Sequence, residues 1–143
     1  MRELIKLLDE NLEYISHETA DGCIYIKVES KRKEVQCPFC GEMSEKVHSV
    51  YIKSFQDLPI QGMKVVLILN NRKMFCRNTK CGHTTFAERF EFIVGKSKKT
   101  KRLKDEITRL SMNMSSVAAA EVLSKNTVTI GKSTICRLIK RGF

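Results

Sequence analysis

Four cysteines stand in two close-set pairs, Cys37-Pro38-Phe39-Cys40 and Cys76-Arg77-Asn78-Thr79-Lys80-Cys81, with 35 residues between them. Short loops of this kind can each aim two sulfurs at a common point, which is what one tetrahedral zinc ion needs. Pro38 within the first pair and Gly41 just after it suit a tight knuckle whose backbone amides turn toward the sulfurs. Sulfur fills all four positions of the shell, so no place is left for an activated water, and the ion is expected to be structural. His83, two residues past Cys81, and His48 are the competing ligands, although a histidine beside a knuckle more often packs or hydrogen-bonds. Two disulfides, or a redox or zinc sensor built on the same thiols, are the remaining readings; a reducing compartment favours metal.

That compartment follows from the rest of the chain. The N-terminal stretch carries acidic residues inside its apolar pattern and does not read as a signal peptide. No run approaches the roughly 18 apolar residues of a membrane span. A cytoplasmic location and no membrane partner are expected.

Several elements must position the knuckles. Residues 2–13 read as an amphipathic helix with Leu4, Ile5, Leu7, Leu8 and Leu12 on one side. Asp21-Gly22 opens a strand in which Ile24, Ile26 and Val28 alternate with Cys23, Tyr25 and Lys27. Val47 to Phe55 reads as a second strand, Pro59 and Gly62 bound a turn, and Met63 to Phe75 reads as a long strand leading into the second cysteine pair. Thr84 to Phe92 reads as a short extended segment whose phenylalanines pack beneath the metal.

Charge divides the 143 residues unevenly. Residues 1–93 are nearly neutral, whereas residues 94–143 hold 12 Lys and Arg against Asp105, Glu106 and Glu121, a net +9. Such a field calls for a polyanionic partner. Gly95 to Lys99 is polar, basic and without apolar periodicity, so the expected domains are 1–94, zinc-binding and β-rich, and 95–143, basic and helical. Thr100 can cap a helix carrying Leu103, Ile107 and Leu110. Val117 to Ser124 and Lys132 to Lys140 read as two more helices, which together make a helix-turn-helix. With Ile135, Leu138 and Ile139 inward, Lys132, Ser133 and Arg137 are the base-reading candidates, with Lys140 and Arg141 beside them. Lys98, Lys99, Lys101, Arg102 and Lys104 are the phosphate-contact candidates. Cys136 reads as a half-buried packing residue. The expected fold class is α+β: a small zinc-ribbon-like β domain followed by a three-helix helix-turn-helix domain.

The ordered run of short motifs resembles the N-terminal portion of the ISL-three-type insertion-sequence transposases. The matching residues are Cys37-Pro38-Phe39-Cys40-Gly41, Val47-His48, Asp57-Leu58-Pro59-Ile60-Gln61-Gly62, Arg72, Cys76, Cys81 and Thr85-Phe86-Ala87-Glu88. Thr100-Lys101-Arg102-Leu103 and Ser133-Thr134-Ile135-Cys136-Arg137 match its helical region more loosely, and Gly131 stands where that family often has a capping serine. The resemblance implies a DNA-binding region that recognises the terminal inverted repeats of a mobile element in transposition, a DNA recombination reaction. Its partner would be double-stranded DNA, and its setting the bacterial nucleoid. A homodimer and a catalytic transposase domain are further partners it admits. The carboxylates show no cluster suited to two-metal strand cutting, so the chain is expected not to be an enzyme by itself and to lack the catalytic domain. A stand-alone zinc-dependent transcriptional regulator is the alternative.

Overall fold

A computed structural model describes residues 1–113, 117, 118 and 121. The chain opens with helix α1, Arg2–Leu8, which stops where Asp9 turns extended at φ −158° and ψ 122°. Leu12 therefore begins strand β1, Leu12–Ala20, instead of continuing the helix that its spacing suggested. Asp21 and Gly22, at φ 52° and 74°, make a two-residue turn into β2, Cys23–Ser30. Two successive left-handed residues match the twist of the strands they join, and glycine takes the second position without steric cost. The same device, Gln61 and Gly62 at φ 50° and 74°, joins β5, Val47–Ile60, to β6, Met63–Phe75. Between these hairpins lie the two-residue strands β3, Val35–Gln36, and β4, Met43–Ser44. After β6 come β7, Thr85–Ala87, and helix α2, Lys101–Asn113.

The main sheet runs β1-β2-β6-β5, with β7 paired to β6; β3 and β4 form a separate pair. Two compact units divide the chain. The first takes residues 1–16, 27–53 and 68–91; the second takes 17–26, 54–67 and, of the described residues, those from 92 onward. In the first unit the buried apolar side chains include Ile5, Leu12, Val28, Val35, Leu69, Met74, Phe86 and Phe90. In the second they include Ile24, Ile26, Phe55, Val65, Leu67, Phe92, Leu103 and Ile107.

Helix α2 of the second unit begins as its sequence dictates. Thr100 Oγ1 accepts from the Leu103 amide at 3.3 Å and donates to Asp57 Oδ1 at 2.8 Å. Such an N-cap contributes about 1 kcal/mol. Arg102 closes over the same carboxylate, its Nε 2.7 Å from Oδ1 and a second nitrogen on Oδ2. Residues 98–100 run beside Gln56, whose amide donates to the Lys98 carbonyl at 2.8 Å and whose carbonyl accepts from Thr100 at 2.9 Å.

The expected α+β class, with a three-helix helix-turn-helix domain after the zinc unit, is overturned. The chain is mostly β, built on a five-stranded sheet, with the two helices α1 and α2 among the described residues. The excess of strand has a physical source. Residues 12–20 are an extended half-hairpin where helix periodicity alone suggested a helix end, and β5 runs to Ile60 through Pro59, past the expected stop at Phe55. Of the expected helices, Lys132 to Lys140 lies outside the described residues, and so does Val117 to Ser124 except at 117, 118 and 121.

Candidate metal centre

The first cysteine pair sits at the turn of the β3–β4 hairpin, whose register pairs Val35 with Ser44 and Gln36 with Met43. Within it the Cys37 amide donates to the Glu42 carbonyl at 2.8 Å, and the Gly41 amide donates to the Cys37 carbonyl at 2.9 Å. The second pair follows β6 directly and leads back into β7, whose Thr85, Phe86 and Ala87 pair with Phe75, Met74 and Lys73. Here the Cys76 amide donates to the Thr84 carbonyl at 2.9 Å, and the Cys81 amide to the Asn78 carbonyl at 3.1 Å. Two bonds tie the hairpins together: Ser44 Oγ donates to the Phe75 carbonyl at 2.6 Å, and the Phe75 amide to the Lys46 carbonyl at 2.9 Å. Each knuckle thus stands on its own pair of strands, which is why the sulfurs can meet from opposite sides.

The Sγ atoms of Cys37, Cys40, Cys76 and Cys81 all lie within 4.8 Å of one another, and Cys40 and Cys76 approach to 3.5 Å. Zinc bonded to sulfur at about 2.3 Å in a tetrahedron separates its ligands by ~3.8 Å, so the four thiols fit one ion. Beneath them Val35, Met74 and Phe86 form a buried cluster that includes Cys37 and carries Cys40, Cys76 and Cys81 against it. The ion is one structural zinc. Neither His48 nor His83 belongs to this sulfur group. His48 meets Phe75 edge-on, and His83 stacks on Phe39.

Electrostatics within the cluster favour a cation. The Glu42 backbone amide, helped by the Cys76 and Cys37 thiols and opposed by burial, lowers Cys40 to about 7. The Asn78 amide pulls Cys76 in the same direction, but burial and the thiols of Cys40, Cys37 and Cys81 outweigh it and push Cys76 up to about 12. The two sulfurs sit too close for both to ionise cheaply without a metal between them. Zinc replaces those protons, so bound-state values fall far below metal-free ones. A group lowered in this way contributes above its metal-free value and loses its contribution as pH falls. Zinc affinity, followed by transfer to a chromogenic chelator, is therefore expected to weaken steadily on acidification from neutral pH. A flat profile would exclude thiolate ligation.

Two other sets of side chains were not assigned from the sequence. Glu88, just beyond β7, has a fully buried side chain held by Arg72 Nε at 2.9 Å, Arg32 at 3.2 Å and Ser30 Oγ at 2.5 Å. Arg72 and Glu88 were both visible as motif residues, and their opposite charges were the one signal of pairing. Phe39 at the tip of the first knuckle and His83 after the second lie parallel, with centroids 3.5 Å apart.

The expected phosphate contacts are distributed differently. Lys98 and Lys101 are exposed and Lys99 is half-buried. Arg102 faces Asp57, and Lys104 is buried on α2. Lys132, Ser133, Arg137, Lys140 and Arg141 lie outside the described residues. No helix among the described residues is long and apolar enough to cross a membrane.

Comparison with curated proteins and with solved structures finds no match. Residues 33–81, a span that starts just before the first knuckle and closes on Cys81, match the family described as the zinc-finger of transposase IS204/IS1001/IS1096/IS1165.

Proposed function

We propose that this chain is the DNA-binding region of an insertion-sequence transposase, recognising the terminal inverted repeats of its element. The observation that carries the reading is the match of residues 33–81 to a transposase zinc finger, with its four sulfurs gathered at one point. The +9 charge of residues 94–143 supports it, because a duplex is a dense polyanion. Lys98 and Lys101 are exposed cations before and at the start of α2, and are assigned to phosphate. The zinc unit orders the backbone and does no chemistry on the strand, since a closed four-thiolate shell offers no coordination site to water or phosphate. These 143 residues are assigned to binding, and cutting to another domain.

Selection of bound sequences from random duplexes, with and without a chelator, tests this reading. A single enriched motif is expected, and it should disappear when zinc is removed. Binding to that motif should weaken steeply with salt, log K falling by about 0.9 per phosphate contact per decade. Lys101→Ala should lower that slope by about one contact and affect all sequences alike. Failure to bind any duplex at low salt would end the proposal.

A further inference from the structure

The tip of the zinc unit carries a surface that metal binding does not explain. Phe39 is 50% exposed, although a ring of this size is normally withdrawn from water. It is held flat against His83, with an interplanar angle of 9°, so each knuckle supplies one ring of a parallel pair. The Arg89 guanidinium lies over the Phe39 ring, 5.6 Å from its centre, on an exposed and flexible side chain that an incoming ring can displace from the face opposite His83. Arg89 also lines a cavity of about 330 Å³ with Val35, Pro38 and Met43. That volume lies at the lower end of small-ligand sites, on the order of 300–1,000 Å³. The loop of the second knuckle adds exposed Arg77 and Lys80.

A flat aromatic face, an adjoining small cleft and cations beside both suit a ligand that is itself a flat ring joined to an anion. Within a polymer, that describes a nucleotide whose base has left its stack. A paired base inside a duplex exposes only its edges and cannot reach a ring face.

We propose that the Phe39–His83 pair receives one unstacked nucleobase of the bound DNA, with Arg89 on the adjoining phosphate. This rests on the DNA-binding reading above and adds to it a preference for DNA carrying an unpaired nucleotide. Zinc has an indirect part: it holds the two knuckles, and hence the two rings, together.

The test compares two labelled duplexes by fluorescence anisotropy, using the zinc-loaded full chain. One duplex is fully paired; the other carries a single unpaired 2-aminopurine. The unpaired duplex is expected to bind about tenfold tighter, the size of one base–ring stack. Its 2-aminopurine emission should fall on binding, as stacking quenches it. Phe39→Leu, which retains apolar bulk without a π face, should abolish both the preference and the quench while zinc content and paired-duplex affinity stay unchanged. His83→Ala should reduce the preference without removing it. Equal binding of the two duplexes by the unaltered chain, or an undiminished preference in Phe39→Leu, would overturn the assignment. Absence of binding to either duplex at low salt would overturn the DNA reading beneath it, so the two failures are separable.

Discussion

Stripping zinc from the reduced chain is expected to dissolve the first unit around its knuckles. Bringing the two cysteine pairs together closes a loop of 35 residues, at a cost of roughly 3 kcal/mol in chain entropy. The strands that carry the first pair are two residues each and bury only Val35 and Ser44, too little to offset that cost alone. Structural zinc supplies about 10–16 kcal/mol at neutral pH, so the metal decides the balance. Without it Cys37, 1% exposed, must sit in the core beside three crowded thiols. Hydrogen exchange read residue by residue should show protection lost at the Cys37, Cys76 and Cys81 amides and across β7. Helix α2 has its own cap and its buried Leu103 and Ile107, and should keep its protection. Cys40→Ser with Cys76→Ser should reproduce the same pattern and reduce zinc from one equivalent to none. Full protection of the knuckle amides in metal-free protein would show that side-chain packing alone builds them.

Much of this site was legible because metal ligation leaves a local signature. Spacing alone identified Cys37, Cys40, Cys76 and Cys81, and the strand from Met63 to Phe75 was read between the Pro59–Gly62 turn before it and the second cysteine pair after it. The cap at Thr100 was readable for the same reason, since its partner Leu103 lies three residues away. What escaped was non-local. Nothing near Leu12 in sequence reveals that it begins a strand, because the neighbour it pairs with, β2, is reached only through the Asp21-Gly22 turn. Arg102 looked like a free cation until Asp57, 45 residues earlier, took up its charge. The stacking of Phe39 on His83 depends on two knuckles being closed on one ion, which neither segment announces. The expected α+β class was overturned at this level too, because the long β hairpins that dominate the described residues close through turns and pair across distances that local periodicity does not carry.

Glu88→Ala is expected to be the most damaging single change outside the cysteines. The carboxylate is fully buried, and it takes hydrogen bonds from Arg72 Nε at 2.9 Å, from the Arg72 terminal nitrogen at 3.1 Å, from Arg32 and from Ser30. Arg72 and Arg32 keep only 20% and 25% of their side-chain surface in water, so neither is well solvated once its counter-charge is removed. Breaking such a pair by deleting one partner costs about 3–5 kcal/mol, a large part of the 5–15 kcal/mol that holds a typical domain. Arg72 also fixes the chain, since its carbonyl accepts from the Glu88 amide at 2.9 Å and the same terminal nitrogen donates to the Arg32 carbonyl at 2.9 Å. Losing the carboxylate therefore frees the segment that leads away from the second knuckle, and zinc affinity should fall together with the denaturation midpoint. Arg72→Met combined with Glu88→Leu removes both charges and retains bulk, so it should recover part of the loss. A double-mutant cycle in urea measures the coupling directly. A Glu88→Ala unfolding free energy within about 1 kcal/mol of the parent's would mean that water reaches the arginines and the pair contributes little.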